Sequence, residues 1–164
     1  MDVLARHPCG NLLPLARRAI RDYEKCRSKT VSIPMVKGTV RLSINWRNGP
    51  FRGCYNYWDP RTIVLFSWGD AKAMAFTLVH EMRHVQQHAI LGKRFGRLTM
   101  KAWGKTADRT EGIMSPLEID AKAAEIVARG SPNRQFLKKP DSPGLARMFK
   151  GLEKSCRRHA RLIG

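Results

Sequence analysis

The order of apolar and polar residues divides the chain into a helix, a group of strands and a second group of helices. Residues 11–28 carry leucines and alanines on one helical side and arginines on the other, which predicts an amphipathic helix that begins near Pro14. Beyond residue 30 the period changes to two, the spacing of half-buried β-strands. The predicted strands cover residues 31–33, 38–46, 53–58 and 62–68.

The pattern returns to helices after residue 69. Asp70 is a good N-cap for a helix that runs to about residue 91, and its first turns are apolar nearly all round, so we expect it to be largely buried. Residues 93–114 are basic and contain glycines, which predicts a loop or short helices. A further helix is predicted for about 116–129, and a last, basic helix for about 145–162.

These elements predict an α+β fold, in which a small antiparallel or mixed β-sheet packs against the N-terminal helix and the two later helices. A length of 164 residues with 43% hydrophobic residues suits one domain. We divide it into a core of residues 1–130 and a basic C-terminal extension of residues 131–164. The sequence contains no run of roughly 18 apolar residues that could cross a membrane. Its N-terminus lacks the apolar centre of a secretory signal, so we expect a cytoplasmic protein.

The net charge of +18 is spread over the whole chain rather than concentrated in a tail. Such a field favours polyanions such as nucleic acid, and a merely solubilising surface is the alternative, because net charge alone carries no specificity. The four cysteines contain no C-x-x-C pair, which favours reduced, mostly buried thiols over a disulfide framework or a zinc ribbon. They are Cys9, Cys26, Cys54 and Cys156.

The clearest chemical signal is His-Glu-x-x-His at residues 80–84, inside the second predicted helix. Histidines four residues apart, His80 and His84, lie on one helical face and can both bind one Zn²⁺ at about 2.0–2.1 Å. Glu81 would then lie beside the metal, where it could hold and deprotonate a bound water. A chance occurrence on an exposed helix is the alternative. The apolar surroundings argue against chance, because charged groups on a buried helix need a partner.

A catalytic zinc usually takes three protein ligands and a water, so a third ligand must come from elsewhere. His88 lies two turns from His80, about 12 Å along the helix axis, which is too far for one ion to bind both. Glu118, in the first turn of the helix at 116–129, is the preferred third ligand, and Asp120 and Glu125 are the other candidates. Glu118 also fits a capping box with the serine three residues before it, in which it would only satisfy a backbone amide.

The two motifs together, His-Glu-x-x-His at 80–84 and Glu-x-x-Ala at 118–121, resemble the gluzincin metallopeptidases. Over residues 11–130 the size and order of elements are similar to those of the single-domain minimal gluzincins and the ImmA/IrrE-like phage and bacterial proteins. The resemblance implies a zincin-like fold and a zinc-activated water. It also implies that His80, His84 and Glu118 are ligands and Glu81 is the general base.

The resemblance further implies that the strand before the motif helix, residues 63–66, forms the edge to which an extended peptide substrate pairs. A donor for the oxyanion is expected as well. No spacing rule chooses among the candidates Tyr55, Tyr57, His88 and Arg109.

We therefore predict a zinc metallopeptidase that acts on proteins or peptides, with proteins near nucleic acid as one substrate class. The alternative is a basic nucleic-acid-binding protein with a structural or vestigial zinc site. A degenerate peptidase that serves as a binding scaffold is a third interpretation. An aromatic cluster with two arginines favours ordinary sheet packing, with base stacking as its alternative; its members are Tyr55, Tyr57, Trp58, Arg52 and Arg61.

Overall fold

The computed structural model describes residues 12–26, 30–35, 38–45, 52–58, 60–66, 70–104 and 115–129. The helices and strands in these ranges are α1 (Leu12–Cys26), β1 (Val31–Met35), β2 (Gly38–Asn45), β3 (Gly53–Asn56), β4 (Thr62–Phe66), α2 (Ala71–Leu91), α3 (Lys93–Trp103) and α4 (Pro116–Ala128). The predicted α+β class is thus confirmed. The basic helix predicted at about 145–162, and the whole extension of residues 131–164, lie outside the described residues.

The four strands form one mixed sheet in the order β1-β2-β4-β3. β1 pairs with β2, and β3 with β4, in antiparallel fashion, whereas β2 and β4 are parallel with Leu42 opposite Ile63. An entirely antiparallel sheet, one of the two predicted arrangements, is therefore wrong. The physical reason is that the chain passes through β3 before β4 enters between β2 and β3, and this crossover makes β2 and β4 run in the same direction.

This strand order also shows that the prediction of residues 63–66 as the edge of the sheet is wrong. β4 has a partner on each side, so its main-chain groups are used within the sheet. Among the described strands, β1 and β3 are the edges.

One face of the sheet packs into the hydrophobic core. Alternate residues of β2 and β4 are buried because successive side chains point to opposite faces of a strand; they are Val40, Leu42, Ile44, Ile63 and Leu65. α1 covers part of this core with its apolar side, and the Tyr23 hydroxyl donates to the Ile44 carbonyl at 3.4 Å. The arginine-rich side of α1 faces outward, as its amphipathic pattern predicts.

α2 runs through the centre of the molecule and contacts α1, α3, α4, β3 and β4. The Asp70 side chain accepts the Ala73 amide at 2.8 Å, which confirms the predicted N-cap. At the other end, Gly92 has φ of 54°, and its amide donates to the His88 carbonyl. Thirteen of the 21 residues of α2 are buried, as expected for a helix packed on several sides. Buried polar residues on such a helix require partners within the protein.

α3 follows α2 after one residue. A loop and short helices are the alternatives predicted for residues 93–114. The structure has a helix over 93–103, and residues 105–114 lie outside the described part of the chain. Phe95 and Ala102 are the buried residues of α3. None of the helices in the described ranges is both long and apolar enough to cross a membrane.

Candidate metal centre

The structure brings together the two histidines of α2 and the glutamate of the first turn of α4. One carboxylate oxygen of Glu118 lies 3.2 Å from His80 Nε2, and the other lies 3.3 Å from His84 Nε2. One ligand atom from each of the three residues lies within 4.8 Å of the other two. The three predicted ligands are thus neighbours. The predicted capping box is present only in part, because the Ser115 hydroxyl oxygen accepts the Glu118 amide at 3.4 Å while the Glu118 carboxylate contacts the histidines.

The three residues are close enough together to share one metal ion, since one ligand atom of each lies within 4.8 Å of the other two. The nitrogen–oxygen distances of 3.2 and 3.3 Å involve different Glu118 oxygens, so each histidine contacts its own oxygen of the carboxylate. Two imidazoles and one carboxylate are also the kind of donor set that catalytic zinc sites use. The three residues could therefore hold a divalent metal ion.

A buried network between α2 and α4 explains why Glu118 faces the histidines. The Arg83 guanidinium, which is 0% exposed, donates to both carboxylate oxygens of Asp120 at 2.8 and 3.2 Å. Gln87 Nε2 donates to the same carboxylate at 2.7 Å and to the Leu117 carbonyl at 3.0 Å. These bonds hold the first turn of α4 against α2. Asp120, a candidate third ligand, is engaged in this network and is not brought to the histidine nitrogens that face Glu118.

The same network determines which nitrogen of His84 faces Glu118. Since Gln87 Nε2 has two acceptors, its amide oxygen must face His84 Nδ1, at 2.8 Å. His84 Nδ1 is therefore a hydrogen-bond donor. Its Nε2 remains for Glu118 or for a metal ion, as metal-binding histidines require.

His80 has a different neighbour on its second nitrogen. His80 Nδ1 is buried without a hydrogen bond to any described residue, and the nearest carboxylate oxygen, from Glu125, lies 3.7 Å away. Glu125 is 4% exposed and accepts from Lys122 Nζ at 2.6 Å and from an Arg129 terminal nitrogen at 2.9 Å. This candidate third ligand therefore lies on the side of His80 away from Glu118. Motif spacing alone could not show that Glu125 lies near His80 Nδ1 or that Gln87 contacts His84 Nδ1.

Glu81 lies next to this group and is 6% exposed. Burial raises the pKa of its carboxyl group, and the charges of His80 and His84 offset part of that rise. β3 passes close over it. A Cβ atom built on Gly53 would lie 3.0 Å from Cγ and Oε1 of Glu81 and 3.0 Å from Cγ2 of Thr77. Gly53 thus makes room for the Glu81 carboxylate, a role for which the sequence contains no signal beyond a glycine at the start of a strand.

The charges of the group are strongly coupled. Burial alone would lower the pKa of His84, but the charge of Glu118 and the hydrogen bonds to Glu118 and Gln87 raise it to about 9. Burial would raise the pKa of Glu118, yet the charge of His84 and hydrogen bonds from both histidines hold it well below its usual range. In the metal-free protein at neutral pH, a proton on His84 therefore balances the charge of Glu118.

Comparison with known proteins finds no match. No family model, no curated protein and no solved structure is significantly similar to this chain. The functional assignment of the centre therefore depends on its own geometry and chemistry.

The predicted oxyanion donors lie at different places. The Tyr55 hydroxyl and His88 Nδ1 are 2.9 Å apart, one turn beyond His84 along α2. Tyr57 packs edge-on against His88, with ring centroids 5.7 Å apart. Burial, followed by the charge of Arg61, lowers the pKa of His88. Arg109 lies outside the described residues.

The expectation of mostly buried thiols is wrong for the one cysteine side chain that the structure describes. Cys54 is free and exposed, because it alternates along β3 with Gly53 and Tyr55, which face α2. The side chains of Cys9, Cys26 and Cys156 lie outside the description.

The coupled charges predict how metal binding depends on pH. Zinc binds neutral imidazole, so uptake must release the proton that His84 carries below a pKa of about 9. We expect release of this proton to make the apparent affinity for Zn²⁺ rise about tenfold per pH unit below about pH 9 and level off above it. Competition with a chromogenic chelator across this range measures the affinity, and an indicator dye in weak buffer measures the released proton. An affinity independent of pH would contradict the charge assignment.

The position of Glu125 predicts a role in orienting His80. A carboxylate behind a metal-binding histidine typically contributes 10–100-fold to metal affinity, and we expect Glu125→Gln to weaken Zn²⁺ binding by about that factor. Glu24→Gln, which removes an exposed acid from α1, is the matched control and should bind as the unaltered protein does. Thermal unfolding of the metal-free variants separates loss of orientation from loss of fold. Equal zinc affinities for both variants would show that Glu125 has no such role.

Proposed function

We propose that this protein is a zinc-dependent metallopeptidase that hydrolyses peptide bonds with a metal-activated water. The observation that carries the proposal is the buried Glu81 carboxylate beside His80, His84 and Glu118, whose ligand atoms lie within 4.8 Å of one another. A purely structural metal site has no use for an extra carboxylate of raised pKa at its side. The resemblance of the motifs to gluzincins, and a zincin-like fold, belong to the same proposal.

In this proposal each residue of the chain has a distinct task. His80, His84 and Glu118 would hold the ion, and Gln87 at 2.8 Å and Glu125 at 3.7 Å would orient the two imidazoles. When bound, zinc lowers the pKa of a coordinated water and polarises the carbonyl of the scissile bond. Glu81 would accept a proton from the attacking water as its oxygen bonds to the carbonyl carbon, and would pass that proton to the amine nitrogen as the C–N bond breaks. The raised pKa of Glu81 suits this transfer, because a base that is too weak to hold the proton cannot deliver it.

The outer edge of β3, which pairs with none of the described strands but β4, supports a peptide as the substrate. The Phe66 amide donates to the Arg52 carbonyl at 2.9 Å, and these residues lie opposite each other in the β3–β4 register. Because hydrogen-bonded and non-hydrogen-bonded pairs alternate along antiparallel strands, the main-chain groups of Gly53 and Tyr55 point away from β4. An extended peptide could pair with them directly beside Glu81. Such pairing recognises the peptide backbone rather than particular side chains.

Replacing Glu81 by Gln separates hydrolysis from metal binding. The amide keeps the size of the side chain but cannot accept a proton, so we expect peptide hydrolysis to fall about 10²–10⁴-fold. Zinc stoichiometry and thermal stability should stay close to those of the unaltered protein. The measurement is cleavage of a pool of fluorogenic peptides, with zinc content determined on the same samples. Full activity in this variant, or a zinc-loaded parent protein that cleaves nothing, would favour the alternative of a structural site in a binding protein.

Replacing Gly53 by Ala tests the closeness of β3 to Glu81. The added methyl group would lie 3.0 Å from Glu81 Cγ and Oε1, so the carboxylate or the strand must move. Small displacements of a catalytic group are costly, and we expect kcat to fall by about 10–100-fold while zinc affinity changes little. Gly96→Ala on α3 is the matched control, because its methyl group would meet Tyr57 at an ordinary 3.6 Å. Unchanged kcat in Gly53→Ala would show that the closeness of Gly53 to Glu81 has no role in catalysis.

A further inference from the structure

α3 presents a basic face to solvent. The helix contains four cations and no acid, and its exposed residues include Lys93, Arg94, Arg97 and Lys101. Three of these cations, at positions 93, 97 and 101, follow one another at intervals of four residues, which places them about 6 Å apart along one side of the helix. This spacing is close to that of successive phosphates along a nucleic-acid strand. The opposite side of α3 is buried through Phe95 and Ala102.

An exposed aromatic ring lies beside this basic face. Trp58 is 68% exposed and stacks on Tyr57, with ring centroids 4.9 Å apart and planes inclined by 28°. Tyr57 in turn packs on α3, edge-on against Phe95 at 5.5 Å and close to the backbone at Gly96. The exposed side chains of Met100 and Trp103 follow Gly96 at helical spacing, on the same side of α3. Trp58, Met100 and Trp103 together with the four cations form what we call the α3 surface.

We propose that the α3 surface binds single-stranded nucleic acid. The cations would contact successive phosphates and the Trp58 ring would stack on an unpaired base, a combination that proteins use to bind single strands with little sequence preference. A duplex keeps its bases stacked on one another and offers none to Trp58. An anionic membrane suits the surface less well, because the side of α3 that carries Phe95 is packed into the core and only Trp58, Met100 and Trp103 remain exposed to enter lipid. Tyr55 does not take part, since it is buried and its hydroxyl contacts His88.

α3 lies between its exposed cations and the candidate metal centre. The Phe95 ring packs on His88, with centroids 5.1 Å apart, and lies 6.3 Å from the ring of His84. The cations lie on the side of α3 opposite Phe95, and Trp58 is linked to His88 through Tyr57. The binding itself does not depend on the proposed hydrolysis, so each can be tested without the other.

The test compares two pairs of charges that have the same spacing on two helices. Arg97→Gln/Lys101→Gln removes two cations from α3, and Arg17→Gln/Arg21→Gln removes two exposed cations from α1. Binding of the zinc-loaded full chain to labelled single-stranded oligo(dT) and oligo(U) is followed by fluorescence anisotropy between about 50 and 200 mM salt. We expect the α3 pair to weaken binding about tenfold or more and to reduce the salt slope by about 1.4, the value for two phosphate contacts on a single strand. The α1 pair should change the affinity less than about twofold.

Variants at Trp58 test the stacking. Trp58→Ala should weaken binding about 5–100-fold, the usual effect of losing one stacked base, and Trp58→Phe should restore most of it. Glu81→Gln should bind as tightly as the unaltered protein, which keeps a failure of this proposal distinct from a failure of the peptidase proposal. Equal effects of the α1 and α3 pairs would overturn the proposal, as would duplex DNA of the same length binding as tightly as the single strand. Anionic phosphatidylserine vesicles that bind with the same dependence on α3 and Trp58 would overturn it as well.

Discussion

The hydrogen-bonded ion pair between Arg83 on α2 and Asp120 on α4 is the interaction on which the rest of the centre depends. It is fully buried, so an uncompensated charge on either side would be strongly unfavourable, and each residue holds the other in place. Gln87 joins the pair and extends it to His84. A single polar network therefore aligns two helices, delivers Glu118 and orients one imidazole. The apolar core of the sheet cannot supply this alignment, because apolar contacts are not directional.

The signals that identified the helices and the three clustered residues are local. His80 and His84 are one helical turn apart, so their shared face follows from the sequence. Glu118 lies in the first turn of a helix whose start is indicated by Pro116. The structure has α1, α2 and α4 within a few residues of the predicted bounds. A pattern that lies within one element can be interpreted without knowledge of the elements around it.

What could not be predicted depends on how elements meet. The position of β4 inside the sheet is a property of its neighbours; the apolar run of residues 62–66 is compatible with an interior strand but does not identify its partners. The closeness of Gly53 to Glu81, and of Glu125 to His80, likewise arises only when β3 and α4 lie against α2. The same is true of Trp58, which a period-two pattern assigns to sheet packing and which is mostly exposed beyond the end of β3.

The shortness of β3 limits what it can accept. A strand of four residues offers only two positions, Gly53 and Tyr55, whose main-chain groups face outward, so a partner can form no more than a brief ladder with it. A guest segment must first give up its own internal hydrogen bonds and become extended. Under the proposed function, helices and interior strands of a stable domain would therefore be protected, and chain termini, loops and unfolding proteins would be the accessible segments. The brevity of the strand also leaves little template for edge-to-edge association between copies of the chain.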